Sequence, residues 1–126
     1  MNTLLDRVDH LVYGTTELER GVAEIADLLD VLPIPGGRHP GKGTRNALIA
    51  LGPRSYLEII ARDPDQPEPP QPRTFGIDAL TSSRLVTWAA AGQHLGRLRD
   101  DALRAGVPLG AVRPASRERT DGVLLS

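Results

Sequence analysis

The fold of this chain is decided by the stretch Gly36-Gly37-Arg38-His39-Pro40-Gly41-Lys42-Gly43-Thr44-Arg45-Asn46, residues 36–46. Its four glycines and its proline exclude a regular helix and predict a tight, ordered loop. An amphipathic helix pattern precedes this loop, and two apolar strand patterns follow it. The cations and the histidine suit an anion-binding loop, but a glycine-rich connection that only turns the chain explains the same composition.

Residues 36–42 also spell G-x-x-x-x-G-K, which begins the phosphate-binding loop of many nucleotide-binding proteins. That motif requires Ser or Thr directly after the lysine and then a helix. Here Gly43 follows Lys42, and the apolar run that begins at residue 46 predicts a strand. A nucleotide-binding phosphate loop is therefore excluded.

Composition limits the classes of function. A chain of 126 residues has the size of one domain, and its net charge of -1 argues against a broad nucleic-acid or membrane surface. The absence of cysteine excludes disulfides and thiolate metal sites, so a metal would need histidine and carboxylate ligands. We find no membrane span and no signal peptide, and we expect a cytoplasmic protein.

The first half of the chain predicts a strand, a helix and a hairpin around the loop. In the strand 8–13, alternation places His10 on one face with Val8 and Val12. A capping box of Thr16 and Glu19 predicts that the helix begins at Thr16. Residues 46–51 and 55–61 predict a hairpin, and its second strand carries Glu58 on one face.

The second half repeats this order after the proline-rich residues 62–73, which predict an extended linker. A strand is predicted at 85–90, a helix at 93–105 that ends at Gly106, and further strands near 111–114 and 120–125. Trp88 is predicted to lie in the core, and His94 on the surface. Strand, helix, loop, strand, strand is thus followed by strand, helix, strand, strand, which indicates an α+β fold.

Several of these segments together resemble the glyoxalase-like branch of the vicinal oxygen chelate superfamily (glyoxalase, bleomycin resistance and dioxygenase proteins). They are Asp9-His10-Leu11-Val12, the glycine-rich stretch 36–46, Tyr56-Leu57-Glu58-Ile59-Ile60, residues 73–80 and residues 85–90. The resemblance implies paired βαβββ modules with curled mixed sheets around a cleft. Within a single domain 1–126, it implies a first module at 1–61, a linker at 62–73 and a partial second module at 74–126.

The resemblance also implies a site. His10 and Glu58 match the positions that bind a divalent metal (Zn, Ni, Mn or Fe), which would chelate and polarise substrate oxygens in a lyase or isomerase of the glyoxalase type. The alternative is that His10 is a core histidine hydrogen-bonded to Glu58. His39 is the candidate catalytic acid or base, although a third metal ligand and a solvated loop residue are also open.

The remaining candidates bind the ligand. We expect a small oxygenated, anionic metabolite to contact four residues of the glycine-rich stretch: Arg38, Lys42, Arg45 and Asn46. Two departures from the family pattern weaken the metal prediction: Thr87 stands where a second histidine would be, and no second glutamate follows at the matching distance. These departures favour a metal-free binding or sequestration protein. An unfinished sheet edge predicts a homodimer, unless the chain is a fragment.

Overall fold

A computed structural model describes residues 8–91 and 94–108, together with the backbone of residues 117–119 and 124–125. The secondary structure confirms an α+β fold. In chain order, the elements are β1 (Val8–Gly14), α1 (Leu18–Leu29), β2 (Ile34–His39), β3 (Thr44–Ala50), β4 (Tyr56–Arg62), a 3-10 segment (Thr74–Ala79), β5 (Arg84–Ala90), α2 (Leu95–Arg104), β6 (Arg117–Arg119) and β7 (Leu124–Leu125). The predicted strand at 111–114 and the residues 120–123 lie outside the described ranges.

The described strands form one mixed sheet in the order β5-β1-β4-β3-β2-β6-β7. Strands β1 and β4 pair in parallel, with His10 opposite Tyr56 and Val12 opposite Glu58. All the other recorded pairs are antiparallel. Elements β1 to β4 therefore make one βαβββ unit, in which α1 and a hairpin separate two strands that lie side by side.

Alternation along the strands gives this sheet two different faces. The face under α1 holds an apolar core of Ile25, Ile49, Leu57 and Ile59. The opposite face holds a second cluster of Val12, Ile60 and Ile77, the last of which comes from the 3-10 segment. His10 and Glu58 share the strand parity of Val12 and Ile60, so they lie on this second face, as predicted.

The glycine-rich stretch is mostly strand, so the prediction of a loop over 36–46 is wrong. Strand β2 runs to His39, and β3 begins at Thr44. The register is irregular at Gly36, and the next glycine, Gly37, is held extended by pairing with Asn46 of β3 and Arg119 of β6. Only residues 40–43 turn the chain, with Gly41 and Gly43 at positive φ.

The predicted capping box is also wrong. The helix begins at Leu18 with Glu17 as its N-cap, and no side chain caps it. The helix cannot begin at Thr16 because the preceding residue still belongs to the sheet: the Thr15 backbone N–H donates to Ile60 O at 3.0 Å. Glu19 consequently turns outward and accepts a hydrogen bond from Arg45 at 2.8 Å.

The second half is more exposed than predicted. Trp88, expected in the core, is 51% exposed, and none of the residues of α2 is buried. The helix begins at Leu95 and ends at Arg104, and His94 before it is exposed, as predicted. Neither of the described helices is long and apolar enough to cross a membrane.

Candidate functional site

Glu58 is the centre of the polar cluster on the face opposite α1. It lies in the middle of β4 and is only 7% exposed. Its Oε1 lies 3.6 Å from His10 Nε2, and its Oε2 lies 3.8 Å from His39 Nε2. Asn46 Nδ2 donates a hydrogen bond of 2.6 Å to Oε2. A buried carboxylate is costly unless it is paired, and these three side chains provide partners.

The ring of His10 is fixed from two sides. Its Nδ1 lies 2.7 Å from Asp9 Oδ1, and the ring stacks on Tyr56 with centroids 4.7 Å apart. A carboxylate at Nδ1 favours the tautomer with the proton on that nitrogen. In the neutral ring, Nε2 then presents a lone pair toward the Glu58 carboxylate, at a distance too long for a hydrogen bond. Two acceptors that face each other in this way favour a positive group between them.

His39 approaches the same carboxylate from the end of β2. Its Nδ1 lies 2.8 Å from Thr44 Oγ1, the residue directly opposite it on β3. Its Nε2 lies 3.4 Å from Asn46 Nδ2. Both histidines therefore direct Nε2 toward Glu58 while Nδ1 is held by a neighbouring side chain.

Glycine at position 36 leaves the space that the Asn46 side chain occupies beside Glu58. The Asn46 side chain is buried, and a Cβ atom at Gly36 would lie 2.1 Å from its Oδ1. Among the described residues, Oδ1 has no hydrogen-bond partner. The sequence prediction placed Asn46 with the ligand-binding residues and did not single out Gly36. The close approach of these two residues from different strands has no local pattern in a single sequence that could have predicted it.

A cavity of about 190 Å³ opens beside Glu58. Its polar side is formed by His39, Lys42, Thr44 and Glu58, and its apolar side by Ile60 and Phe75. Lys42 enters from the turn between β2 and β3, where its backbone N–H donates to His39 O at 3.1 Å. The cavity thus combines a carboxylate, an imidazole and an ammonium group with an apolar wall.

The structure does not bring Arg38 and Arg45 to this cavity. The two arginines are opposite each other on β2 and β3, and Arg45 bonds to Glu19 of α1, so both lie on the helix-covered face. Arg38 Nε lies 3.6 Å from Asp63 Oδ2. Of the predicted anchoring cations, Lys42 is the one that lines the cavity with Glu58.

Asp63 explains how Arg38 is held on that face. The carboxylate is fully buried, and it accepts hydrogen bonds from Gln66 Nε2 at 2.9 Å and from the Asp65 N–H at 3.0 Å. Burial raises the pKa of Asp63, but these hydrogen bonds and the charges of Arg38 and Arg45 outweigh it and lower the pKa below its ordinary value. The proline-rich segment is therefore tied to the sheet at its first residue after β4.

The donor set partly fits a divalent metal. His10 Nε2 and Glu58 Oε1 are 3.6 Å apart, less than twice a typical metal–ligand distance of about 2.1 Å, so these two residues would be able to hold a divalent metal together. The Asp9 contact to His10 Nδ1 is the support that metal-binding histidines usually have. However, the described part of the chain contains no group of three or more His, Cys, Asp or Glu side chains arranged to hold a metal ion. On β5, Ala89 lies opposite His10 and Thr87 lies opposite Val12, so the residues that face these two positions of β1 are not metal-binding histidines.

Comparison with known proteins supports the fold. The sequence model of a family described as "Glyoxalase-like domain" matches residues 8–126. A crystal structure of methylmalonyl-CoA epimerase from Mycobacterium tuberculosis superposes with a TM-score of 0.63 at 18% sequence identity. The match covers 97% of this chain and 77% of that one. No curated protein matches the sequence.

Proposed function

Because this chain belongs to the glyoxalase-like domain family, we propose that it binds a small oxygenated metabolite beside Glu58 and acts on it as an isomerase or lyase. One observation carries the proposal: a buried carboxylate lies between two imidazoles whose Nε2 atoms both face it. Such a cluster suits proton transfer and the stabilisation of an oxyanion. The similar solved structure is that of an epimerase, which is a type of isomerase.

In this proposal His10 and Glu58 hold a divalent metal, which when bound would polarise a substrate oxygen. Support comes from the separation of their donor atoms and from the contact between Asp9 and His10 Nδ1. The two protein ligands leave coordination positions for oxygens of the substrate or water. Asn46 holds the second oxygen of Glu58 and so fixes the carboxylate plane.

The other cavity residues position the substrate and move the proton. Lys42 binds an anionic group such as a carboxylate, because an ammonium ion is a compact charge with several donors. His39 acts as acid and base: it takes a proton from the carbon next to a carbonyl and returns it to a carbon of the intermediate. An imidazole ring can both accept and donate a proton, and Thr44 fixes the orientation of this ring.

The size of the cavity restricts the substrate. Pockets for drug-sized ligands are roughly 300 to 1,000 Å³, whereas this cavity is about 190 Å³. A compact 2-oxoaldehyde or 2-oxo acid fits this description. A homodimer and a cytoplasmic location, both expected from the sequence, belong to the same proposal.

The metal content per chain tests the proposal that His10 and Glu58 hold a divalent metal. The protein is purified without chelator or nickel affinity, supplied with zinc, manganese or nickel, and desalted. We expect about one ion per chain or per dimer in the unmodified protein and its loss in His10→Ala, because that variant lacks a ligand. The matched control is His94→Ala, which removes an exposed histidine and keeps the metal. Equal metal in His10→Ala and the unmodified protein would refute the assigned ligands.

A second candidate function, metal-free binding or sequestration, is favoured by the absence of a three-ligand group in the described residues. The 2.6 Å hydrogen bond from Asn46 also satisfies one Glu58 oxygen without a metal. If this second function is correct, we expect that no variant retains an ion and that the affinity for pyruvate is the same with and without chelator.

Ligand contact is tested by a matched pair of charge removals. Lys42→Met should weaken pyruvate binding about tenfold, since it removes the cation that lines the cavity. Arg45→Met removes an equal charge on the opposite face and should change affinity less than about twofold, because Arg45 pairs with Glu19 there and does not line the cavity. Titration calorimetry measures both. Equal losses in the two variants would show that only long-range charge matters.

A further inference from the structure

Phe75 has a backbone conformation that bulky residues rarely adopt. Its φ of 61° and ψ of 20° lie in the left-handed region, and Gly76 follows in the same region. The residue is 42% exposed and lines the cavity beside Glu58. A strained backbone that persists at a cavity wall is a reason to look for function there.

The surrounding contacts determine this conformation from both sides. Before Phe75, the buried Arg73 donates from Nε to Gly43 O at 2.9 Å and from Nη1 to Asp78 Oδ1 at 2.8 Å. The Arg73 backbone N–H donates to the other Asp78 oxygen at 3.0 Å. After Phe75, Ile77 is 5% exposed in the second apolar cluster. Two fixed points with three residues between them leave little freedom to the backbone of Phe75.

The side chain of Phe75 forms the apolar side of the cavity together with Ile60, which is 2% exposed. Lys42, His39 and Glu58 form the other side. A ligand that fills this space therefore needs a charged or oxygen-rich end and, attached to it, a hydrocarbon group. Pyruvate provides only the first of these features.

We propose that Phe75 is a specificity-determining residue that selects small 2-oxo acids or 2-oxoaldehydes with an alkyl or aryl substituent. This proposal rests on the proposed function, because it takes the oxygenated end to lie at Glu58 and Lys42. Because the backbone of Phe75 is already held in place, packing of the hydrocarbon part against its ring costs less ordering than packing against a free segment would.

Calorimetric titration with pyruvate and 2-oxohexanoate tests the proposal, and the quantity compared is the ratio of the two affinities. The protein should prefer 2-oxohexanoate about tenfold or more, because each added methylene in an apolar pocket contributes several-fold. The ratio should fall toward one in Phe75→Ala and to an intermediate value in Phe75→Leu. Leu28→Ala, which removes an exposed apolar side chain from α1, should keep the original ratio.

A second measurement needs no variant at Phe75. Phe75 is the single phenylalanine in the sequence, so 4-fluorophenylalanine labelling gives one fluorine NMR signal. This signal should move saturably with 2-oxohexanoate, and also with the uncharged probe 2-hexanone.

The outcomes separate the two proposals. Equal affinities for the two acids, or a preference that survives Phe75→Ala, would overturn the role of Phe75 while the proposed function stands. If neither acid binds, the proposed function fails for this ligand class. The fluorine signal then decides: a saturable shift with 2-hexanone supports the apolar wall, and an unchanged signal overturns it.

Discussion

The two faces of the sheet differ in their side chains: one face holds an apolar core, and the other holds the polar cluster around Glu58. The face under α1 is filled by aliphatic side chains, and Arg45 and Glu19 pair at its edge. The opposite face buries a carboxylate between histidines and an asparagine. The first arrangement gains free energy from apolar burial, whereas the second must offset the cost of desolvating Glu58. The same strands carry both, because successive residues point to opposite sides.

The glycine-rich stretch shows what this division does to a sequence motif. Its cations appear as one basic cluster along the chain, yet Arg45 lies under the helix and Lys42 lines the cavity. Proximity in sequence therefore overstates the positive charge that a ligand meets. Of the next three predictions, the first two test how independent the two faces are, and the third concerns a carboxylate on the helix-covered face.

The largest effect on stability is expected from Ile59→Ala on the helix-covered face. Ile59 is fully buried in the core cluster, so its truncation should lower the free energy of unfolding by about 2–5 kcal/mol. Denaturant titration measures this, with Leu28→Ala as an exposed control expected within about 0.5 kcal/mol. Pyruvate affinity of the folded variant should stay unchanged. A large loss of affinity would mean that the two faces are coupled.

Gly36→Ala should act on the other face. The added Cβ would overlap the Asn46 amide oxygen, so the carboxamide must move away from Glu58. We expect about 1–3 kcal/mol of destabilisation from overpacking, accompanied by weaker pyruvate binding. The matched control is Gly52→Ala, whose Cβ would meet nothing within 4 Å. If both alanine variants bind pyruvate equally well, the positioning of Asn46 by Gly36 is refuted.

The smallest effect concerns pH and the helix-covered face. Glu24 accepts hydrogen bonds from Ser83 and Tyr13, which lower the pKa of its carboxyl below the ordinary 4.5. A lowered pKa means that the ionised form stabilises the fold: the contribution is complete above the ordinary pKa and is lost as pH falls through the folded-state value. Glu24→Gln should therefore be less stable than the unmodified protein at pH 7, and the difference should shrink in acid.

Tyr13→Phe provides the control for this pH effect. It removes one of the two hydroxyl donors to Glu24 and leaves the Ser83 contact in place. We expect a smaller acid dependence than in the unmodified protein, measured by urea unfolding at several pH values. An acid dependence that is identical in all three proteins would show that Glu24 is not its source.

Sequence patterns predicted the faces well and the local geometry poorly. Alternation alone placed His10 on the face of Val12, and Glu58 on the face of Ile60, which the two apolar clusters confirm. The parallel pairing of β1 with β4 that brings the two strands together was not predicted, since no local pattern specifies a partner for β1. Glycine content predicted a loop where pairing on both sides makes a strand.

Other features depend on contacts that only folding creates. The close approach of Gly36 to Asn46 joins two strands, and the left-handed conformation of Phe75 is held by Arg73 and Ile77. Trp88 is a large apolar residue of the kind usually found in a core, but it is half exposed. A sequence shows that a residue is apolar, but it does not show what covers it.

The parallel pairing of β1 with β4 also sets an order of events during folding. The hairpins β2–β3 and β3–β4 join neighbouring segments and can form quickly, whereas β1 must wait until the chain through α1 and both hairpins has been brought back. Closing that long loop costs entropy before any contact of β1 repays it. We therefore expect His10 and Glu58 to meet after the hairpins have formed, so that partly folded chains contain the hairpin residues of the cluster without His10.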